Sequence, residues 1–253
     1  MSLSKKLKTF LLKNGATEVG YADIKDCSPK KELDKGVVFY ITYPKKIIEN
    51  MQNAPTQEYV NELVRMNTRL DKLGMECEGF LIDNGYDAYA QTKKRLGTDF
   101  GENNSFELPH KTLATRAGLG WIGKSALFTT SNFGSALRIS SVLTNAPLDI
   151  GNPILKSKCG KCMKCMDACP GGAISGKEWN YKLKRNEFYD DKKCENMHLK
   201  YHTKTWEKKI QYVENAFMPA HTHRDILTDY NMTAYLKIEV GVLISKPLIF
   251  LSI

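Results

Sequence analysis

Four cysteines lie close together in the second half of the chain, at Cys159, Cys162, Cys165 and Cys169, and Pro170 follows them directly. The spacing C-x2-C-x2-C-x3-C-P is typical of loops that hold [4Fe–4S] clusters. Three thiolates on one tight loop can each reach a different iron of one cubane, while backbone N–H groups between them offset the charge of the sulfides. The fourth cysteine of such a run ligates the other cluster in two-cluster proteins. The run therefore predicts an iron–sulfur site.

Tetrahedral zinc is the alternative for four clustered thiolates. Zinc sites usually pair two C-x2-C hooks from separate parts of a chain. Here the four cysteines form one continuous run that a proline closes. The spacing favours iron–sulfur.

The elements around this run belong to an ordinary folded protein. The chain has 253 residues, 42% apolar and 26% charged, enough for one large domain or two smaller ones. Seven cysteines, four of them in one run, indicate a reducing compartment rather than a disulfide framework.

The N-terminal pattern predicts an amphipathic helix without a secretory h-region. Lys237, Glu239 and Lys246 interrupt the apolar C-terminal segment, so it is too broken to span a bilayer. We expect a cytoplasmic protein without a membrane partner.

Positive charge concentrates around the cysteine run. The formal net charge is +9, and residues 156–209 carry 14 Lys and Arg against 7 Asp and Glu. This surplus predicts an acidic partner near the cluster: an acidic electron donor such as a ferredoxin or flavodoxin, or a nucleic-acid backbone. A solvated surface that compensates a thiolate-ligated cluster explains the same pattern, and both interpretations stay open. Four lysines lie next to the cysteines: Lys156, Lys158, Lys161 and Lys164.

Hydrophobic patterning places helices and strands in the first 150 residues. Helical spacing indicates an N-terminal helix that stops at Gly15 and a long helix over residues 56–82, in which Cys77 lies on the apolar stripe as a small buried hydrophobe. β-Branched and aromatic runs predict strands over residues 18–24, 36–44, 86–91 and 135–144. This alternation indicates a three-layer α/β or α+β core.

Gly118, Gly120 and Gly123 match the pattern G-x-G-x-x-G. A dinucleotide fingerprint needs a strand directly before it and an acidic residue about twenty positions later. Here a helical segment precedes the glycines, and Val142, Leu143 and Thr144 stand where the carboxylate belongs. The pattern therefore predicts close backbone approach rather than a Rossmann site.

One long stretch resembles a known family. The segments LATRAGLGWIGKSALFTTSNFGSALRISSVLTNAPL and CGKCMKCMDACPGGAI, between Leu113 and Ile174, resemble the epoxyqueuosine reductase family of iron–sulfur, cobalamin-dependent enzymes, which are related to reductive dehalogenases. The resemblance implies an N-terminal α/β domain that holds a base-off corrinoid and a ferredoxin-like domain that passes electrons to its cobalt. It also implies removal of an epoxide oxygen from a modified tRNA nucleoside, the last step of queuosine synthesis.

The resemblance also implies roles for individual residues. Cys159, Cys162 and Cys165 would serve a first [4Fe–4S] cluster, while Cys169 and Cys194 would serve a second. Two segments would line the corrinoid pocket, with the following residues as candidates: Gly118, Gly120, Trp121, Ile122, Gly123, Lys124, Gly134 and Ser135.

The ligand count departs from the family pattern of eight cysteines. A second C-x2-C-x3-C-P run is expected near residues 215–230, but no cysteine follows Cys194. Histidine replaces cysteine in some iron–sulfur centres. His198 and His202 would share a helix face with Cys194, and His221 and His223 form an H-x-H pair. These histidines are alternatively ordinary surface residues, and a subunit or small molecule could supply ligands instead.

The proton donor is a further departure. The family uses an aspartate upstream of the glycine segment, where this chain has Asn104, and an amide is no general acid. Glu102, Glu107 and His110 are nearby, but the sequence assigns none of them, and the catalytic residue stays unknown.

We therefore expect an α+β protein with three parts: an α/β domain of the corrinoid-binding type over residues 1–150, a ferredoxin-like iron–sulfur domain over 151–215, and a divergent or truncated tail over 216–253. The leading hypothesis is an iron–sulfur oxidoreductase of the epoxyqueuosine reductase type. The rivals are a non-catalytic electron-transfer module and a degenerate relative that holds no stable cluster.

Overall fold

The computed structural model describes residues 1–50, 56–92, 95 and 108–202, with side chains described up to residue 197. The chain divides into two compact units. The first comprises Met1–Thr42, Val64–Trp121 and Leu137–Leu155, and the second comprises Tyr43–Leu63, Ile122–Ala136 and the chain from Lys156 onward. Two segments from the first 150 residues thus group with the cysteine run, although a single boundary near residue 150 was expected. The tail over 216–253 lies outside the described residues.

The first unit contains a four-stranded sheet. Its strands are β1 (Glu18–Asp23), β2 (Lys35–Thr42), β3 (Ala88–Ala90) and β6 (Leu137–Thr144). They lie in the order β1-β2-β6-β3, and every neighbouring pair is antiparallel. Residues 36–41 of β2 are all buried, as the continuous apolar run predicts for a central strand. The mixed helix and sheet architecture confirms the expected fold class.

The first unit also contains helical segments, of which the N-terminal helix and the helix before the glycine segment contact the sheet. Helix α1 (Leu3–Lys13) begins after the N-cap Ser2 and ends at Asn14, and Gly15 follows with a φ of 102°. Its apolar stripe buries Leu7 and Leu11 completely. The long helix predicted over 56–82 is α3 (Gln57–Asp83); its part from Val64 onward belongs to this unit, and Cys77 is fully buried on it. Helix α4 (His110–Arg116) precedes the glycine segment.

The second unit is built from short elements around a small core. They are helix α2 (Lys45–Glu49), strand β5 (Phe128–Thr129) with Ile122 of its partner β4 (Trp121–Ile122), helix α5 (Lys164–Asp167), a 3-10 turn (Arg185–Glu187) and helix α6 (Asp191–His202). The buried core of this unit consists of Ile122, Ala126, Cys165, Ala173, Ile174, Phe188 and Tyr189.

Among the described residues, no helix combines the length and the apolar character needed to cross a membrane.

Candidate iron–sulfur site

The cysteine run forms a tight loop that leads into α5. The N–H of Cys162 donates to the carbonyl of Cys159 at 3.1 Å, and the Ser157 hydroxyl accepts from the N–H of Cys159 at 3.3 Å. Gly160 sits inside this turn with a φ of 55°, in the left-handed region that glycine adopts at no steric cost. The N–H of Cys169 then donates to Met166 as the short helix ends. The loop therefore holds its first three cysteines within one compact turn.

The three loop thiols differ in exposure. Cys165 is buried, Cys159 is half-buried and Cys162 is exposed. Burial above all, together with the charges of Cys159 and Cys162, raises the pKa of the Cys165 thiol to about 11. The set fits a cluster site, because iron ligation replaces the proton on a buried thiol.

Cys169 and Cys194 are the two remaining candidate ligands. The N–H of Ala173 donates to the Cys169 sulfur at 3.3 Å. Burial raises the pKa of Cys194, Cys169 contributes to the rise, and a hydrogen bond with the Tyr189 side chain opposes it. Cys169 and Cys194 both pack against the core of the second unit. Cys165 belongs to that same core, so the second unit brings these three cysteines to one buried cluster.

The histidine alternatives lie at the edge of the described residues or beyond it. Helix α6 carries Cys194, His198 and His202, as the i, i+4 and i+8 spacing anticipates, but no side chain is described past residue 197. His221 and His223 lie outside the described residues. Within the described side chains, no three His, Cys, Asp or Glu residues form a site for a metal ion.

The buried side chain of Lys124 forms hydrogen bonds with the backbone of the cysteine loop. Lys124 is 4% exposed, and its ammonium donates to the carbonyls of Gly160 at 2.7 Å and Cys162 at 3.0 Å. Its Nζ also lies 3.2 Å from the Met163 sulfur. Three acceptors therefore surround a charge that would otherwise be costly to bury. The sequence resemblance placed Lys124 at a corrinoid, and nothing in the sequence pairs it with the cysteine run.

A strained hairpin carries this lysine. The N–H of Gly123 donates to Leu127 at 2.7 Å, and the N–H of Ala126 donates back to Gly123 at 2.9 Å. Ala126 has a φ of 64°, which is unfavourable for a residue with a Cβ atom. It is also 1% exposed in the core that contains Cys165. Packing of Ala126 thus holds the hairpin in a conformation that it would avoid in isolation.

The glycine segment does not form a nucleotide loop. Helix α4 precedes it instead of a strand, which agrees with the rejection of the Rossmann pattern. The N–H of Gly118 donates to Thr115 and that of Leu119 to Ala114, which is the Schellman arrangement at a helix C-terminus. Gly118 has a φ of 74°, and a Cβ there would collide with the carbonyl of Asn152. Close backbone approach therefore explains Gly118.

The remaining corrinoid candidates fall in both units. Gly118, Gly120 and Trp121 belong to the first unit, and the other five belong to the second: Ile122, Gly123, Lys124, Gly134 and Ser135. Gly134 closes a tight turn, since it exchanges backbone hydrogen bonds with Thr130 at 2.8 and 3.0 Å.

Two buried hydroxyls in the second unit have no hydrogen-bond partner within the described part of the chain. They are the Oγ atoms of Ser125 and Ser135, in residues 6% and 3% exposed. Burying a hydroxyl without a partner is costly, so such groups commonly await a ligand or a water molecule. Ser135 is one of the residues predicted at the corrinoid, whereas Ser125 was not among them.

The proton donor is not located. Asn104, Glu102 and Glu107 lie outside the described residues. The structure places His110 at the start of α4, where its Nδ1 lies 2.7 Å from the Ser141 hydroxyl. Gln91 donates to the same hydroxyl at 2.7 Å, and Ser141 is completely buried. This network orients the imidazole, but it does not identify a catalytic acid.

Comparison with known proteins agrees with the iron–sulfur assignment. Residues 158–214 match a family model described as a 4Fe-4S double cluster binding domain. The match includes all five candidate ligands of the cysteine run and helix α6. The prediction of an iron–sulfur domain is therefore confirmed, and zinc is not favoured.

Curated epoxyqueuosine reductases resemble a larger part of the chain. The protein from Bacillus subtilis (strain 168) is 29% identical over 164 residues, which are 59% of this chain and 38% of that protein. The protein from Bacillus anthracis is 41% identical over 109 residues, 43% of this chain and 25% of that protein. These matches confirm the resemblance seen in the sequence. The chain spans well under half the length of either relative.

The fold has a wider structural match. The catabolic reductive dehalogenase NpRdhA, N-terminally tagged, superposes with a TM-score of 0.59 at 17% identity, covering 87% of this chain and 33% of that protein. This likeness establishes the fold.

Proposed function

We propose that this chain is an iron–sulfur oxidoreductase of the epoxyqueuosine reductase type, in which a [4Fe–4S] cluster passes electrons to a bound corrinoid. The observation that carries the proposal is the cysteine loop, because its spacing and the 4Fe-4S double cluster model matched over residues 158–214 both support iron–sulfur ligation. The curated relatives are named epoxyqueuosine reductases, which supports a modified tRNA nucleoside as the substrate class. The cytoplasm is the corresponding compartment.

The protein residues have defined tasks in this proposal. Cys159, Cys162 and Cys165 hold the first cluster, and Cys169 with Cys194 supply two ligands of a second. Ser135 and Gly134 contact the corrinoid from the tight turn that precedes β6. When bound, the cluster supplies one-electron transfer and the corrinoid supplies a reducible cobalt. The chain itself binds, orients and shields these groups.

The surface around the loop supports an acidic electron donor. The side chains of Lys156, Lys158 and Lys161 are exposed beside the cysteines. A basic patch raises the rate of encounter with an acidic protein such as a flavodoxin or ferredoxin. The same charge would attract the phosphates of a tRNA. We assign the patch next to the cysteine loop to the electron donor, because electrons must enter near the cluster.

Anaerobic reconstitution tests the proposal. We expect about four irons and four sulfides per chain for each cluster formed, with a reduced [4Fe–4S] signal by EPR. Addition of cobalamin should shift its visible spectrum, because a pocket that holds the corrinoid would change the surroundings of its cobalt. Cys162→Ser should lower the iron content, whereas Cys27→Ser, outside the run, should leave it unchanged.

Each contrary result has a distinct meaning. A redox-active cluster without any spectral change at saturating cobalamin would replace the proposal with a non-catalytic electron-transfer protein. Iron and sulfide near zero after reconstitution would mean that the chain holds no stable cluster.

A further inference from the structure

We propose that Lys124 is a positioning residue of the iron–sulfur loop, whose buried ammonium fixes the loop backbone and favours the reduced cluster. The inference rests on the cluster half of the proposed function and is independent of the corrinoid. It concerns the second unit alone, where the hairpin and the cysteine loop both lie.

The hydrogen bonds of Lys124 fix the orientation of two peptide groups within the cysteine loop. Gly160 and Cys162 lie between the first and third loop cysteines, and both of their carbonyls accept from Nζ. The partners are 36 and 38 residues away in sequence, so the contact joins two separate segments. A planar trans peptide points its N–H opposite to its carbonyl. Lys124 therefore turns the N–H groups of Lys161 and Met163 away from itself.

The N–H groups of Lys161 and Met163 are available as hydrogen-bond donors to the sulfur atoms of a cluster. Among the described residues, neither Lys161 nor Met163 donates a backbone hydrogen bond. Amide donors to cluster sulfur atoms raise the reduction potential of iron–sulfur centres. By holding the two carbonyls, Lys124 keeps both amides available for the cysteine side of the loop.

The charge of Lys124 acts in the same direction. Reduction adds one electron to a cluster that already carries negative charge, with no bond formed or broken. A neighbouring cation stabilises the reduced form more than the oxidised form. Lys124 is only 4% exposed, so water and salt screen its charge weakly. Lysines on the outer surface of the loop lack this advantage.

A redox titration of the reconstituted protein, followed by EPR with dithionite as reductant, tests the inference without cobalamin or substrate. We expect Lys124→Met to lower the equilibrium constant for cluster reduction at least tenfold, which corresponds to 59 mV for a one-electron couple. Lys124→Arg keeps the charge and should restore most of the potential. Lys161→Met is the matched control, because it removes the same charge from an exposed side chain of the same loop.

The outcomes separate this inference from the proposed function. A Lys124→Met potential no lower than that of Lys161→Met, at full iron content, overturns the inference and leaves the proposed function intact. Iron loss in Lys124→Met alone, with native circular dichroism in the apo-protein, supports the positioning role. Apo-proteins that unfold in both Lys124→Met and Lys124→Arg would show a purely structural lysine and overturn it. A wild type without iron overturns both proposals.

Discussion

At the residue scale, the loop cysteines are chemically unequal before any cluster forms. Cys162 is exposed, whereas Cys165 is 7% exposed and packs in the core of the second unit. The thiolate is the nucleophile and the metal ligand, so the fraction deprotonated controls reactivity. Burial and the neighbouring thiols keep Cys165 protonated at neutral pH. Cluster assembly therefore has to extract a proton from a buried position.

Alkylation of the native apo-protein should follow this order. With iodoacetamide at pH 8, we expect Cys162 to react first, Cys165 much more slowly, and the fully buried Cys77 only on unfolding. Because the pKa of Cys165 lies near 11, its rate should rise about tenfold per pH unit between pH 8 and 10. Peptide mass spectrometry after timed quenching measures each site. Equal rates at Cys162 and Cys165 would contradict the described burial.

At the scale of elements, glycines mark where backbone segments approach closely. Gly118 ends α4 in a left-handed conformation and leaves no space for a side chain beside Asn152. Gly85 has a similar φ of 84° but has nothing within 4 Å of a built Cβ. Comparison of Gly118 with Gly85 distinguishes backbone strain from steric crowding. Both residues have a positive φ, but only at Gly118 would a Cβ atom also collide with neighbouring backbone.

Substitution by alanine should reveal that difference. We expect Gly118→Ala to destabilise the apo-protein by about 2–4 kcal/mol and Gly85→Ala by about 1 kcal/mol, since only the former adds a collision to backbone strain. Gly79→Ala inside α3 meets open space and should stabilise by about 0.5–1 kcal/mol. Urea denaturation at pH 7 measures all three. The crowding explanation fails if Gly118→Ala and Gly85→Ala cost the same.

At the scale of the whole molecule, the uneven charge bears on association. Residues 156–209 hold most of the formal surplus, with 14 basic and 7 acidic residues in a chain of net charge +9. Long-range attraction of an acidic donor depends on this local field and weakens as salt screens it. The effect should therefore follow the position of the lysines and not only their number.

Charge reversal tests the dependence on position. The triple variant Lys156→Glu, Lys158→Glu and Lys161→Glu should slow cluster reduction by an acidic flavodoxin about tenfold or more at low ionic strength. Stopped-flow absorbance measures the rate, and the difference from the wild type should shrink at high salt.

A matched triple variant controls for net charge. Lys5, Lys6 and Lys13 are exposed on α1 in the first unit, and their reversal to glutamate changes the net charge equally. Reduction rates should then stay near those of the wild type. Equal slowing by both triple variants would assign the effect to net charge and remove the proposed docking patch.

The sequence by itself determined what depends on short-range pattern. The spacing of Cys159, Cys162, Cys165 and Cys169 predicted the iron–sulfur class, because one tight loop suffices to bring its thiols together. Hydrophobic periodicity predicted α3 and the central strand β2 within one or two residues. The helix before Gly118 excluded a nucleotide loop for a local reason as well.

Only the tertiary structure decided which distant segments meet. The antiparallel order β1-β2-β6-β3 joins strands that lie far apart in the chain, and residues 122–136 group with the cysteine run rather than with their sequence neighbours. The contact of Lys124 with Gly160 and Cys162 has no sequence signature, because a lysine and two backbone carbonyls can occur anywhere. Ala126 of the same hairpin and Cys165 of the loop share one buried core, and packing between distant segments exists only in the folded chain.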